Sequence, residues 1–142
     1  MRLWHKDLIP YLPDLQLKGQ WRECALIADA LAKNGTPNHL LVNRVTEYPL
    51  DHFVTYCFFV FMEMRKRGFN GSNRATKKME NLGNFHIKEP LFYGWHNLEY
   101  LRICYANLLE KHNGIGKSRI TDEEWQVLLD GYKAITGEEY KI

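Results

Sequence analysis

The sequence has few cysteines and no long apolar run, and both absences limit what the chain can be. Its three cysteines, Cys24, Cys57 and Cys104, show no CxxC spacing, and each falls in an apolar segment. We interpret them as reduced core residues. The apolar run "VTYCFFVFM" is shorter than the roughly 18 residues of a membrane span, and "MRLWHKD" at the start contains no apolar stretch typical of export. The sequence therefore predicts a cytoplasmic protein with no membrane partner.

Metal-ligand and strand patterns are lacking as well. The six histidines include no HExxH or similar ligand pair, so we predict neither a metal site nor a cofactor. No segment alternates between apolar and polar residues as a strand would. A chain of 142 residues is long enough to bury a core without disulfide or metal support. We therefore expect a single domain over residues 1–142, acting as a monomer.

The pattern that is present is helical. Apolar residues recur at helical spacing over residues 14–33, 49–68, 96–111 and 121–137. Asp14 is the expected N-cap of the first helix, and Thr121 and Glu124 have the spacing of a capping box at the start of the last. Residues 70–93 are rich in Gly, Asn and Lys and are predicted to form a loop. The predicted fold class is all-α: a compact single-domain bundle of three to four helices with long connecting loops.

Basic residues are concentrated in one stretch although the net charge is only +2. Residues 65–78 contain six basic side chains and no acidic one: Arg65, Lys66, Arg67, Arg74, Lys77 and Lys78. One interpretation is a solvated helix end, where cations favour the helix dipole. The other is a contact with nucleic-acid phosphates, which the adjoining "NGSNRATKK" favours because Gly and Asn bring backbone N–H groups close.

A glycine-rich stretch, "GIGKS" at residues 114–118, is similar to a phosphate-binding loop. The Walker pattern requires glycine where Lys111 stands and a strand before it, so we reject that interpretation. Two others remain open: a plain turn between helices, and the turn of a helix-hairpin-helix whose amides hold a DNA phosphate.

Three segments occur in a specific order. They are the N-terminal run "MRLWHKDLIPYLPDLQLKGQWRE", the connection "VNRVTEYP" and the helix end "RKRGFN". An arginine directly after the first residue, an aromatic-Arg-Glu turn in the first helix and "RGFN" closing the second resemble the pyrimidine-dimer DNA glycosylase/AP lyase family, the endonuclease V type first known from phage. The resemblance covers about the first half of the chain.

The resemblance implies a chemistry. In that family the N-terminal α-amine is the nucleophile and a helix-one Glu is the acid/base, which assigns these roles to Met1 and Glu23. Arg2 is too large for ordinary methionine removal, so the nucleophile is expected on Met1 itself. An α-amine with a pKa of about 7.7–8.0 is partly neutral near pH 7, whereas a lysine amine at about 10.4 is not. It can attack C1′, expel the base and leave a Schiff base through which the strand is cut.

The same resemblance, together with the basic stretch, predicts a double-stranded DNA partner. The family's further helix-one arginine falls at Leu26 here, and its third-helix pocket arginine falls near Asn107, five residues after Arg102. These departures make a hypermodified pyrimidine of phage DNA a serious alternative substrate. The predicted DNA-binding residues are Arg2, Arg22, Arg44, Arg65, Lys66, Arg67, Arg74, Lys77, Lys78, Arg102 and Asn107.

Two further hypotheses remain from other classes: a DNA-binding module of the same fold without turnover, and a helical protein-interaction domain. Four aromatic residues, Trp4, Trp21, Tyr48 and Trp95, are first of all core or rim residues. One or two of them could stack on a duplex or fill the gap left by a flipped nucleotide.

Overall fold

The computed structural model describes residues 2–33, 40–71, 73–114 and 119–141. These residues contain a 3₁₀ helix and six α-helices, and no strand. The 3₁₀ helix is Lys6–Tyr11, and the α-helices are α1 Asp14–Ala32, α2 Leu40–Val45, α3 Leu50–Lys66, α4 Asn73–Glu80, α5 Leu98–His112 and α6 Asp122–Thr136. The all-α prediction is confirmed, whereas the predicted count of three to four helices is too low.

The four long helices follow the apolar periodicity. α6 begins with the predicted capping box, in which Thr121 and Glu124 each bond the other's backbone N–H, and it ends at Gly137 with φ of 78°. The N-cap of α1 is Pro13 rather than the predicted Asp14, which is the first helical residue. Asp14 instead receives a hydrogen bond from Arg67 at 3.0 Å, so its carboxylate is used outside the helix.

The prediction that residues 70–93 form a loop is wrong for Asn73–Glu80, which form α4. That helix is strongly polar, and only Ala75 and Met79, one turn apart, are buried. It packs against α1 and α3, so its stability depends on neighbours that a local pattern does not reveal. The short helix α2 was missed for the same reason, since it buries only Val42 and Val45.

The 3₁₀ helix Lys6–Tyr11 connects the N-terminal segment to the bundle. It buries Leu8 and Ile9 and packs against both α3 and α6. The approach of α6 is close, because a Cβ built on Gly131 would stand 2.5 Å from Cγ of Tyr11. Glycine at this position lets α6 reach the N-terminal third of the chain.

One cluster of buried apolar residues draws on both halves of the sequence, including Leu17 of α1, Tyr56 of α3, Tyr105 of α5 and Leu128 of α6. Helix α1 contributes to this cluster and is in contact with α2, α3 and α4. The single-domain assignment stays a prediction. Within the described ranges, no helix combines the length and apolar character needed to cross a membrane.

Candidate active site and nucleic-acid groove

The backbone of residues 2–4 is held by a buried glutamine of α1. Gln20, only 1 % exposed, accepts a hydrogen bond from Trp4 N at 2.7 Å and donates one to the carbonyl of Arg2 at 3.0 Å. The hydroxyl of Tyr56 in α3 donates to the carbonyl of Trp4 at 2.6 Å. The N-terminal segment is thereby attached to the faces of α1 and α3 that point into the core.

The same segment is held from α5 and the turn before it. The hydroxyl of Tyr100 donates to the carbonyl of Leu3 at 2.6 Å, and Nδ1 of His96 accepts from Lys6 N at 2.9 Å. Burial lowers the pKa of His96 to about 2, so the ring is neutral and its Nδ1 lone pair stays available. Burial likewise lowers the pKa of His5, which stacks on His96.

Glu23 follows Gln20 by one turn of α1, so both side chains belong to the helix face that meets the N-terminal segment. Its side chain is half-buried. Among the described residues, Oε2 of Glu23 is a buried atom without a hydrogen-bond partner. A buried, unpaired carboxylate oxygen costs stability, so its retention is typical of a group kept for chemistry.

A groove of about 400 Å³ lies between α1 and α4. One of the residues that line it, Arg22, directly precedes Glu23 in the sequence. Its lining residues come from both helices: Trp21, Arg22, Ala25 and Asp29, then Arg74, Ala75 and Lys78. Arg22 and Arg74 are exposed, and Lys78 is paired with Asp29. That hydrogen bond from Lys78 lowers the pKa of Asp29. The structure thus brings Arg22 together with two residues of the basic stretch.

The two arginines at the end of α3 are not among the residues that line the groove. Arg67 donates to the carbonyls of Leu12 at 2.6 Å and Pro10 at 3.1 Å and pairs with Glu63 at 2.9 Å, so its guanidinium holds the 3₁₀ helix on α3. The guanidinium of Arg65 stacks on the ring of Phe61 at 5.2 Å.

The two remaining lysines of the stretch do not line the groove. Lys66 lines a separate cavity with Lys6 and Glu63. Lys77 is exposed on α4. The six basic residues therefore do not form a single surface.

A comparison of the sequence with models of protein families shows to which family the chain belongs. The model described as pyrimidine dimer DNA glycosylase matches residues 1–77, just over half of the chain. The chain belongs to this family. The comparison with curated proteins finds no match, and neither does the comparison with solved structures.

The glycosylase family match ends inside α4, so it contains Gln20, Glu23 and Tyr56 but neither His96 nor Tyr100. The contacts that α5 makes with the N-terminal segment therefore come from outside the matched region. Met1, the predicted nucleophile, lies outside the described residues, as do residues 115–118 of "GIGKS".

The remaining predicted DNA contacts are scattered over the molecule. Arg2 stacks on Trp4 at 5.2 Å. Arg44 stacks on Trp95 at 5.3 Å and pairs with Glu47. Their assignment as DNA contacts stays a prediction.

Neither α5 candidate lines the groove between α1 and α4. Arg102 hydrogen-bonds to Tyr132 in a C-terminal cavity, and Asn107 donates to the carbonyl of Ile103 in its own helix at 2.8 Å. The prediction that they contact DNA is likewise untested.

All four aromatic residues predicted as core or rim are buried, between 6 % and 8 % exposed: Trp4, Trp21, Tyr48 and Trp95. Trp21 also lines the groove, where it contacts Phe61. The sequence analysis did not identify four residues that hold the N-terminal segment: Gln20, Tyr56, His96 and Tyr100. The available signal was a polar glutamine on the apolar face of a helix, one turn before Glu23.

Among the described residues, no cluster of three or more His, Cys, Asp or Glu side chains could hold a metal ion.

Proposed function

We propose that this protein is a DNA glycosylase with AP lyase activity, which removes a damaged pyrimidine through a Schiff base on the α-amine of Met1. The observation that carries the proposal is the buried, unpartnered oxygen of Glu23 on the helix face that holds residues 2–4. A carboxylate oxygen that has no hydrogen-bond partner among the described residues is available to a cationic sugar or to a proton in transit.

The chemistry follows from the two groups. The neutral α-amine attacks C1′ of the target nucleotide, and the bond from C1′ to the base breaks as the base leaves with the electron pair. Glu23 stabilises the positive charge that develops on the sugar. Opening of the sugar ring gives the Schiff base, and removal of a C2′ proton then expels the 3′ phosphate by β-elimination. Glu23 is the proposed proton acceptor and donor in these steps.

Affinity for DNA is assigned to the groove between α1 and α4. Arg22 and Arg74 are exposed there, and among the described residues neither makes an ion pair. Guanidinium groups without an ion pair of their own are available to bind phosphates. Such contacts supply affinity that does not depend on base sequence.

A second candidate substrate is a hypermodified pyrimidine of phage DNA. Leu26, which stands where the resemblance places a further arginine, follows Arg22 by one turn and is 55 % exposed. An exposed apolar side chain at that place favours contact with a modified base over contact with a phosphate. Paired assays on duplexes with a cyclobutane dimer and with a bulky 5-substituted pyrimidine separate the two substrates.

The decisive experiment is borohydride reduction in the presence of duplex DNA with an abasic site. We expect a covalent adduct whose peptide map places the DNA on the α-amine of Met1. The matched control is the same protein with its α-amine acetylated, which should form no adduct. Undiminished trapping after acetylation would show that a lysine is the nucleophile, and no trapping at all would favour the DNA-binding module without turnover.

A further inference from the structure

Helix α5 and the turn before it hold the segment that leads to the proposed nucleophile. Tyr100 reaches Leu3 across 97 residues of sequence, with its hydroxyl 2.6 Å from the carbonyl oxygen. His96 reaches Lys6 across 90 residues, with Nδ1 2.9 Å from the amide nitrogen. Both lie beyond the region matched by the family model. We refer to these two hydrogen bonds as the α5 clamp.

The hydrogen bonds of the α5 clamp involve backbone groups that are not bound by Gln20 or Tyr56. Gln20 binds the carbonyl of Arg2 and the amide of Trp4, while Tyr100 binds the carbonyl of the residue between them. The carbonyl of Trp4 is bound in turn by Tyr56. Three successive carbonyls, those of residues 2, 3 and 4, are therefore held by side chains of α1, α5 and α3.

Because His96 is buried, its hydrogen bond with the Lys6 amide does not change with pH in the range where an α-amine is nucleophilic. His96 is 6 % exposed, and burial lowers its pKa to about 2. The neutral ring accepts the Lys6 amide at Nδ1, so its own proton is on Nε2. Its ring centroid lies 5.0 Å from that of Tyr100, so the two members of the α5 clamp support each other.

We propose that Tyr100 and His96 are positioning residues for the α-amine of Met1, an inference that rests on the proposed function. The carbonyl of Leu3 lies two residues along the chain from Met1 and the amide of Lys6 lies five, and consecutive Cα atoms stand about 3.8 Å apart. These two hydrogen bonds restrict the segment from which the amine extends. A nucleophile held in a narrow range of positions reacts faster because less orientational freedom is lost at the transition state.

The matched pair of variants is Tyr100→Phe and Tyr105→Phe. Both tyrosines belong to α5, and both donate their hydroxyl to a distant carbonyl, since Tyr105 bonds Leu128 at 2.5 Å in α6. Each variant removes one oxygen and keeps the ring. We expect Tyr100→Phe to slow single-turnover trapping at saturating abasic DNA by about 10-fold, with an unchanged Kd. Tyr105→Phe should trap at the wild-type rate.

A second pair tests His96. His96→Asn places a neutral acceptor near the position of Nδ1, whereas His96→Leu removes the acceptor and keeps an apolar side chain. We expect His96→Leu to slow trapping by about 10-fold and His96→Asn to restore most of the rate. Amide exchange at Trp4 and Lys6 should be faster in the slowed variants than in wild type.

The outcomes separate failure of this inference from failure of the proposed function. If wild-type protein traps DNA and Tyr100→Phe traps it equally fast, the positioning role is wrong and the proposed function stands. Equal slowing in Tyr105→Phe would also overturn the positioning role, because it would reflect general loosening of α5. If wild-type protein forms no adduct, the proposed function fails and the positioning role fails with it.

Discussion

The polar groups on the two sides of α1 differ in burial and in charge. Toward the core, Gln20 and the nearby rings of His5 and His96 are buried and neutral, and they bind backbone groups at 2.7–3.1 Å. Toward α4, Arg22 and Arg74 keep their charge in water. Buried neutral contacts fix geometry, whereas exposed charges supply affinity. We therefore expect rate to depend on the first side and DNA binding on the second.

The largest effect that tests this division is expected from Glu23→Gln. The substitution keeps the shape of the side chain and removes its charge and its capacity to accept a proton. Loss of acid–base catalysis should lower the single-turnover rate of base excision by about 10²–10⁴-fold, with Kd for lesion DNA changed by less than about twofold. Glu110→Gln, an exposed change on α5, is the control and should leave the rate unchanged. A Glu23→Gln protein that excises at the wild-type rate would remove Glu23 from the site.

Lowering the pH should lower the free energy of unfolding, because His96 is buried in its neutral form. Burial lowers its pKa to about 2, compared with 6.5 for the unperturbed group. Between these values the unfolded chain binds a proton that the folded chain does not. The stability that neutral His96 contributes is therefore fully present above pH 6.5. As the pH falls below 6.5, the free energy of unfolding drops by about 1.4 kcal/mol per pH unit.

The measurement is urea unfolding at pH 7.0 and pH 4.5, where His96 alone predicts a loss of roughly 2–3 kcal/mol in the free energy of unfolding. His96→Asn should remove that part of the acid sensitivity. His86 is exposed, and His86→Asn is the matched control that should keep the wild-type dependence. Equal acid sensitivity in the protein and in His96→Asn would show that the ring is protonated in the folded state.

A smaller effect is expected in the groove. If Arg22 and Arg74 each bind one phosphate, Arg22→Ala and Arg74→Ala should each flatten the plot of log affinity against log salt by about 0.9. Both should weaken binding to lesion and undamaged duplex alike, and single-turnover rates at saturating protein should not change.

Arg67→Ala is the matched control for the groove because the guanidinium of Arg67 binds the carbonyls of Leu12 and Pro10. It should lower Tm and leave the salt slope as in wild type. A slope that falls in Arg67→Ala and not in Arg22→Ala would place the phosphate contacts outside the groove.

The smallest effect is expected from Asp29→Asn. Asp29 holds Lys78 within the groove and brings a negative charge close to any bound phosphate. Removing that charge frees Lys78, so affinity for undamaged duplex should rise by about two- to fivefold, the range of an exposed ion pair. Fluorescence anisotropy at two salt concentrations measures it. Weaker binding would mean that Asp29 orients Lys78 toward DNA rather than competing with it.

The sequence by itself determined the features that are local in the chain. The apolar periodicity predicts α3 and α5 to within about two residues at each end, and the Thr121 and Glu124 pair predicts the start of α6. The "QWRE" turn and "RGFN" identify the family from short segments. These signals are readable because helix period and capping depend on residues within one or two turns of each other.

The tertiary structure decided which polar groups meet. Tyr100 and Leu3 are 97 residues apart, and nothing near either residue predicts their hydrogen bond. Arg67 belongs to a basic stretch by sequence but turns toward the carbonyl of Leu12. Helix α4 carries only two buried side chains and forms where α1 covers them. Such contacts depend on how distant helices pack, and that packing is set by the whole buried core rather than by any one segment.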